Sequence, residues 1–491
     1  MNRKMVLHTV GILLLVESAL LCLPLLIAFL YRGTDGSGAI LAFGQTILIT
    51  LAAGALLAFG FRPKNQVIYA AEGFVIVSLS WLALSLFGCL PFLFDKSCEI
   101  TSFADAFFET VSGFTTTGAS VLRDVESLSH GLLFWRSFTH WVGGMGVLVF
   151  IMALLPGLSD RSIHIMRAEM PGPIVGKLVP RIKDTAKILY LIYFGMTLAE
   201  VICLLAGGMN LFDSVVHTFG TAGTGGFGIR ADSIGSYSPT LQWIIAVFMV
   251  LFGINFNLYY LILVKKFRSA FSSGELWTYL AIIFLSTGAI AVDLLVNFQP
   301  LAGKAGEAIR NAAFQVSSIV TTTGYTTADY AVWPSFSKAV LLILMFLGAC
   351  AGSTAGGFKI SRVVILFKMV KNELKKMLHP RSVNVVKLDG KAVPVKTQES
   401  VSIYFALYIA FFVLIFLLIS LFDPFGLETN FSAAASCFNN VGPGFGGCGP
   451  STSYASFTAG SKIILAFAML LGRLEILPLV LTLSPSAWRK K

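Results

Sequence analysis

Between apolar runs long enough to cross a bilayer, the chain carries four short stretches built on glycine. They are Thr116-Thr117-Gly118-Ala119, Gly223-Thr224-Gly225-Gly226, Thr322-Thr323-Gly324-Tyr325 and Asn440-Val441-Gly442-Pro443. Lipid offers no hydrogen-bond partners, so non-helical backbone at membrane depth survives only where protein buries it or it lines a watery cavity. The four stretches therefore have to share an interior. Their central glycines are spaced 225 − 118 = 107, 324 − 225 = 99 and 442 − 324 = 118 residues apart. A near-constant period of this kind marks one supersecondary unit used four times.

That a bilayer is the solvent follows from composition. The 491 residues are 56% hydrophobic and only 12% charged, with a mean hydropathy of +0.80, values of a polytopic membrane protein rather than a soluble enzyme. The formal charge of +11 raises nucleic acid as a partner, but the basic residues gather in short segments between apolar runs, where they act as orientation signals. No nucleic-acid partner is expected. The seven cysteines contain no Cys-x-x-Cys and mostly sit in apolar runs, where free Cys is a small hydrophobe; neither a metal centre nor a disulfide framework is expected, and no organic cofactor. The six histidines lack ligand spacing, which leaves a membrane-embedded enzyme without its constellation.

Two apolar runs, 6–31 and 39–61, precede the repeat and make up a leading segment, 1–68. The repeated unit then reads as a long apolar run, a shorter amphipathic run beginning near an acid, the glycine stretch, and a second long run. These runs fall at 69–94, 102–114 and 132–155; at 188–205, 210–219 and 241–264; at 276–298, 307–319 and 339–370; and at 401–422, 430–438 and 462–483. The expected divisions are 69–183, 184–270, 271–400 and 401–491, with basic inner linkers in the first and third. Each short run is about half a membrane in length, with Ser102, Asn210 and Asn430 as predicted N-caps. A half-helix entering from outside aims the partial negative charge of its C-terminus at the loop that follows, which favours a cation there. The acids Asp105 and Glu109, Asp213, Glu307 and Glu428 stand near the N-terminal ends; they either complement the helix dipole alone or also gather cations.

Charge fixes the orientation. Ten full spans with four re-entrant half-helices keep Arg62 and Lys64, the basic residues of 161–183, Lys265, Lys266 and Arg268, those of 359–396 and Arg489 to Lys491 on one side, as the positive-inside rule requires. Both termini are then cytoplasmic and all four glycine stretches face the outer half. The expected fold is an all-α polytopic membrane protein with four span/half-helix/loop/span units around a pseudo-fourfold pore, plus two N-terminal spans. Its filter residues are Thr116, Thr117 and Gly118; Gly223, Thr224 and Gly225; Thr322, Thr323 and Gly324; and Asn440, Val441 and Gly442. Carbonyls before the four glycines replace the water of a dehydrated monovalent cation. His217 is the histidine expected beside a filter loop, as a satisfied half-helix residue. Glu200 and Asp293 would serve a proton-coupled transporter with broken helices, but such folds use inverted repeats, and both acids fall near the outer ends of their spans.

The closing run of the third unit is too long and is interrupted by ten small residues, Gly348 to Gly357. Four of them are glycines, each costing a helix interior about 1 kcal/mol relative to Ala, so a loop is predicted at mid-depth. In the fourth closing run Arg473 lies deep among apolar residues, at a cost of roughly 2.5 kcal/mol or more unless it faces a partner or a watery path. Glu475, two residues on, is about 200° around the helix and cannot simply pair with it.

The loops Thr-Thr-Thr-Gly-Ala-Ser, Gly-Thr-Gly-Gly-Phe-Gly, Thr-Thr-Thr-Gly-Tyr-Thr and Asn-Val-Gly-Pro-Gly-Phe resemble the filter loops of the Trk/Ktr superfamily of bacterial potassium uptake proteins, from about residue 69 to the end. The two leading spans make the chain similar to the TrkH and TrkG branch rather than the shorter KtrB branch. The resemblance implies potassium uptake across the bacterial inner membrane, with potassium as the transported ion. Glycine at all four filter positions, where related plant sodium carriers place one Ser, implies potassium selectivity. Val441 departs from the Thr of the other loops and removes a hydroxyl. The resemblance further implies a homodimer with one pore per chain and a cytoplasmic, nucleotide-binding TrkA-like subunit docking on 158–183 and 359–396. Attraction of those basic segments to anionic membrane lipid is the plainer account of them. It also implies a barrier beneath the filter made by Gly348, Gly352, Ser353, Thr354, Gly356 and Gly357 with Arg473. The alternative is a proton-coupled symporter that also carries sodium.

Overall fold

Helices dominate because a backbone in lipid must satisfy its own hydrogen bonds. In the computed structural model, which describes residues 1–63, 70–146, 182–382 and 384–488, the strand content is one two-residue ladder, Lys387–Leu388 with Lys391–Ala392. Among the described residues, six helical segments are long and apolar enough to span: Arg3–Leu30, Gly38–Gly60, Glu72–Phe94, Thr185–Ala206, Gly274–Asn297 and Val395–Phe422. The closing spans differ from the continuous runs expected of them. In the second unit Pro239–Phe252 meets Phe256–Leu263 at 90°, and in the fourth Ala459–Arg473 meets Leu477–Leu483 at 120°. The third closing run divides into Ser335–Phe346 and Ile360–Leu378 around the predicted loop. His130–Gly144 opens the first closing run; residues 147–155, and most of the inner linker 158–183, lie outside the described residues.

The four half-helices are Phe103–Phe114, Leu211–Gly223, Ala305–Val320 and Leu427–Phe438. Each packs between the closing helix of its own unit and that of the preceding unit, with the first resting on the fourth, so the four units close a ring. Glycines permit the approach: a Cβ on Gly143 would collide with the Phe114 carbonyl, and one on Gly472 with the Phe438 carbonyl. Ser102 and Asn210 cap as expected, accepting from Asp105 N at 3.4 Å and Asp213 N at 2.8 Å. Asn430 does not. The fourth half-helix begins earlier, at Leu427, and the Asn430 amide donates instead to Asp423 O at 2.9 Å.

Most of the half-helix acids are paired. Asp105 accepts from Lys462 Nζ at 2.6 Å, Asp213 from the Tyr237 hydroxyl at 2.7 Å, and Glu428 lies 3.9 Å from Lys338 Nζ. Glu109 does not belong with the solvated ends at all, being fully buried one turn further in. Asp293 caps the third closing helix by accepting from Ser337 N at 3.1 Å. Glu200 is fully buried near Thr221 of the second half-helix.

Candidate functional site

The end of each half-helix repeats one backbone pattern. Thr117 N donates to Ser112 O, Gly225 N to Gly220 O, Thr323 N to Ser318 O and Val441 N to Ser436 O, all at 2.8–2.9 Å. One residue earlier, the chain turns left-handed at Thr116, Thr224, Thr322 and Asn440, with φ of 55–56°, a conformation that costs an L-residue roughly 1–2 kcal/mol. Two residues later it does so again, at Gly118, Gly226, Gly324 and Gly442. A fold that repeats a costly turn four times is holding those carbonyls in place against local preference.

This pattern corrects the register in the second loop. Its structural counterpart of Gly118 is Gly226, not Gly225, and Gly223 is the last residue of the half-helix rather than part of the loop. The neighbour contacts agree. A Cβ on Gly118 would collide with Gly225 O, on Gly226 with Thr323 O, on Gly324 with Val441 O, and on Gly442 it would come within 2.6 Å of Thr117 O. Each loop thus presses its glycine on the carbonyl of the next, and the fourth returns to the first. The fourth position is still glycine in every loop, but the residue before it is Thr117, Gly225, Thr323 and Val441, so two loops rather than one lack its hydroxyl. Outside the ring an open cavity of about 350 Å³ is lined by Gly118, Gly226, Gly324 and Gly442. All four half-helix C-termini direct partial negative charge at the ring.

His140, not only His217, lies against one of the four glycine loops. Its Nδ1 is 2.7 Å from Gly113 O and its Nε2 accepts from Phe227 N at 3.3 Å, which fixes the neutral tautomer with the proton on Nδ1. Its ring occupies the space a side chain on Gly225 would need. His217 has Nδ1 2.8 Å from Asp213 O. The sequence signal for His140 was available: it lies three residues before Gly143, one helical turn up the closing helix.

The loop from Gly348 to Gly357 sits directly beneath the ring. Gly356 N donates to the Thr322 hydroxyl at 2.7 Å. Cys350 N donates to Gly253 O at 3.1 Å, and Gly352 O accepts from Phe256 N at 3.0 Å, so the break in the second closing span is the loop's seat. Glu275 Oε1 accepts from Ala351 N at 2.7 Å and from Ser361 N at 3.1 Å, gripping both ends. Gly352 and Gly357 supply the left-handed turns, with φ of 70° and 68°. The Ser353 hydroxyl donates to Cys350 O at 2.6 Å and Thr354 is fully buried. Gly348 N donates to Phe358 O at 2.9 Å, closing the neck. Arg473 donates to Thr354 O at 2.7 Å and to the Gly143 and Gly144 carbonyls at 2.6 Å. Glu475 pairs instead with Arg362, at 2.6 Å, from a left-handed turn that ends the helix. Sequence reasoning missed Glu275, which reads as an ordinary first-turn acid after the cap Ser273.

Ring, seat and loop can be set beside known proteins. A family model described as TrkH, cation transport protein, matches residues 39–490. The chain belongs to the TrkH family of cation transport proteins. It is 38% identical to the Trk system potassium uptake protein TrkH of Escherichia coli K12 over all of both chains, and 34% identical to TrkG of that strain over 99% of each. The crystal structure of the potassium transporter TrkH from Vibrio parahaemolyticus superposes with a TM-score of 0.88 at 34% identity, covering 100% of both. The TrkH-family likeness therefore extends through the two leading spans as well as the repeats.

Proposed function

We propose that this chain takes up potassium across the bacterial cytoplasmic membrane, with both termini inside, through the ring of carbonyls at Thr117, Gly225, Thr323 and Val441. The observation that carries this is the head-to-tail contact of four glycines and four carbonyls, the geometry in which backbone oxygens replace the hydration shell of a cation. The relatives named for potassium uptake support the choice of ion. The loop from Gly348 to Gly357 is the gate: it lies under the ring, bonded to Thr322, with Arg473 placing a positive charge and a hydrogen bond on it.

Opening then falls to a cytoplasmic, nucleotide-binding regulatory subunit acting on a homodimer. Of its dock on 158–183 and 359–396, the helix Ile360–Leu378 leads straight out of the gate loop and carries Lys368, Lys371, Lys375 and Lys376. Proton-coupled symport is a second reading, and Glu200, buried beside the second half-helix, is the residue it would use.

Flux of rubidium and sodium into liposomes holding the purified protein, with and without a proton gradient, tests both. Rubidium should exceed sodium by at least roughly tenfold, equivalent to about 1.4 kcal/mol, and should not respond to the gradient. Equal fluxes would overturn the filter, and a rubidium flux that follows the gradient and is lost in Glu200→Gln would replace the channel reading with symport.

A further inference from the structure

Among the described residues, an ion pair lies behind the first two filter loops that the other two loops do not share. The side chains of Glu109 and Arg136 are 0% and 2% exposed, with Nη2 2.8 Å from Oε1. Arg136 Nε donates to the same oxygen at 2.8 Å, Nη2 to the Ser120 hydroxyl at 3.2 Å and Nη1 to Gly228 O at 3.2 Å. Glu109 in turn accepts from the Ser120 hydroxyl and from Val121 N, both at 2.9 Å. The guanidinium lies 4.0 Å from the centre of the Phe227 ring. Ser120 and Gly228 occupy the same register, two residues beyond Gly118 and Gly226 respectively (120 − 118 = 228 − 226 = 2). One pair therefore ties equivalent points of two neighbouring loops.

Desolvating two charges is expensive, and a buried pair adds little net stability over apolar residues of the same volume. Its presence in one quadrant calls for a positional role. Glu109 stands nine residues before Gly118, and at the same offset from Gly226, Gly324 and Gly442 stand His217, Gln315 and Ala433, none of them an acid. The third and fourth loops are held by neutral bonds instead. The Ser318 hydroxyl donates to Tyr325 O at 2.7 Å, and Gly442 O accepts from the Ser436 and Tyr454 hydroxyls at 2.7 and 2.9 Å.

We propose that Glu109 and Arg136 are a specificity-determining positioning pair, which holds the Thr117 and Gly225 carbonyls at the separation that suits potassium. The pair does not itself touch the ion. This inference rests on the reading of the ring as the filter. Without the pair, the first two loops relax and the ring accepts the smaller sodium ion.

The test is the rubidium-to-sodium flux ratio in liposomes, which does not depend on how much protein is inserted. Glu109→Gln and Arg136→Gln should each lower it roughly tenfold, equivalent to about 1.4 kcal/mol of differential binding. The double variant should lower it no further, because the two residues act as one unit. Arg136→Lys keeps the charge but cannot reach Glu109, Ser120 and Gly228 together, so it should lower the ratio part-way; it carries the test if the neutral variants fail to accumulate. Lys338→Gln, in a surface ion pair, should leave the ratio unchanged. A ratio at the wild-type value in Arg136→Lys and in whichever neutral variants fold, with Gly118→Ser altering it, would overturn the positioning role while sparing the filter. If Gly118→Ser also leaves it unchanged, the filter reading falls and this one with it.

Discussion

The ring of four glycines and carbonyls and the loop beneath it touch, through Gly356 N and the Thr322 hydroxyl, yet they are built on different plans. The ring is four copies of one turn, each tied to its own half-helix by the same backbone bond and pressed on its neighbour by a glycine. The lower loop exists once; beside its backbone bonds to Gly253 and Phe256, others run to side chains brought from elsewhere: Glu275 from the third opening span and Arg473 from the fourth closing span. Backbone held by backbone has little freedom to move without breaking the fold. Backbone held partly by side chains from distant spans is loosened when one of them lets go, which would suit the opening proposed for this loop.

The sharpest way to break this comparison is Gly226→Ser. The new Cβ would collide with Thr323 O, and φ is 75°, which alone costs an L-residue roughly 1–2 kcal/mol. Potassium uptake should fall by at least about tenfold, and residual flux should no longer discriminate against sodium. Wild-type uptake and selectivity in this variant would refute the register of the second loop.

That register marks where the sequence stopped being legible. The two leading and four opening spans, the four half-helices and the mid-depth loop could be read, because hydrophobic length and glycine density act locally. The second loop could not be placed to the residue. Gly223, Gly225 and Gly226 are equally good turn formers by type, and only the left-handed turn at Gly226 and its contact with Thr323 O select one. The breaks at 253–255 and 474–476 were hidden for a different reason: apolar residues resume directly after Gly253-Ile254-Asn255 and Leu474-Glu475-Ile476, and the bends come from tertiary seating of the loop 348–357 and from the left-handed turn at Glu475 and Ile476. Glu109 misled because its neighbour Asp105 is an ordinary half-helix acid; one turn separates a surface pair from a buried one.

Smaller effects, and of the opposite sign, are expected in the gate. Arg473→Ala removes charge-assisted hydrogen bonds to Thr354 O and to the Gly143 and Gly144 carbonyls. One such bond contributes about 1.5–3 kcal/mol, enough to raise partner-independent flux by about tenfold or more. Glu275→Gln keeps an oxygen for Ala351 N and Ser361 N but loses its charge, so a rise of only a few-fold is expected. In both, the rubidium-to-sodium ratio should stay near wild type. A fall in that ratio would mean that ring and loop are one mechanical unit and that the contrast drawn between them is false. Basal flux at the wild-type level in well-folded protein would instead place the gate elsewhere.

The smallest effect separates carbonyls from hydroxyls within the ring itself. In the first and third loops the Thr117 and Thr323 hydroxyls are engaged with those of Thr115 and Thr321, at 2.8 Å. In the fourth loop the residue before the glycine is Val441, and two residues back stands Asn439, whose carboxamide donates to Ala435 O and accepts from the Tyr408 hydroxyl. Val441→Thr adds a hydroxyl at a fully buried position where the equivalent partner is already occupied. A core Val to Thr change is not neutral, because the new polar group must find a bond or be left without one at a cost of about 1–3 kcal/mol. Stability should drop accordingly, as a lower unfolding temperature in detergent. The Val441 carbonyl stays where it was, so the rubidium-to-sodium ratio should move by less than roughly twofold, or ~0.4 kcal/mol. A larger gain in selectivity would show that side-chain oxygens take part in binding the ion, and the ring would then no longer be the backbone device that sets it apart from the loop below.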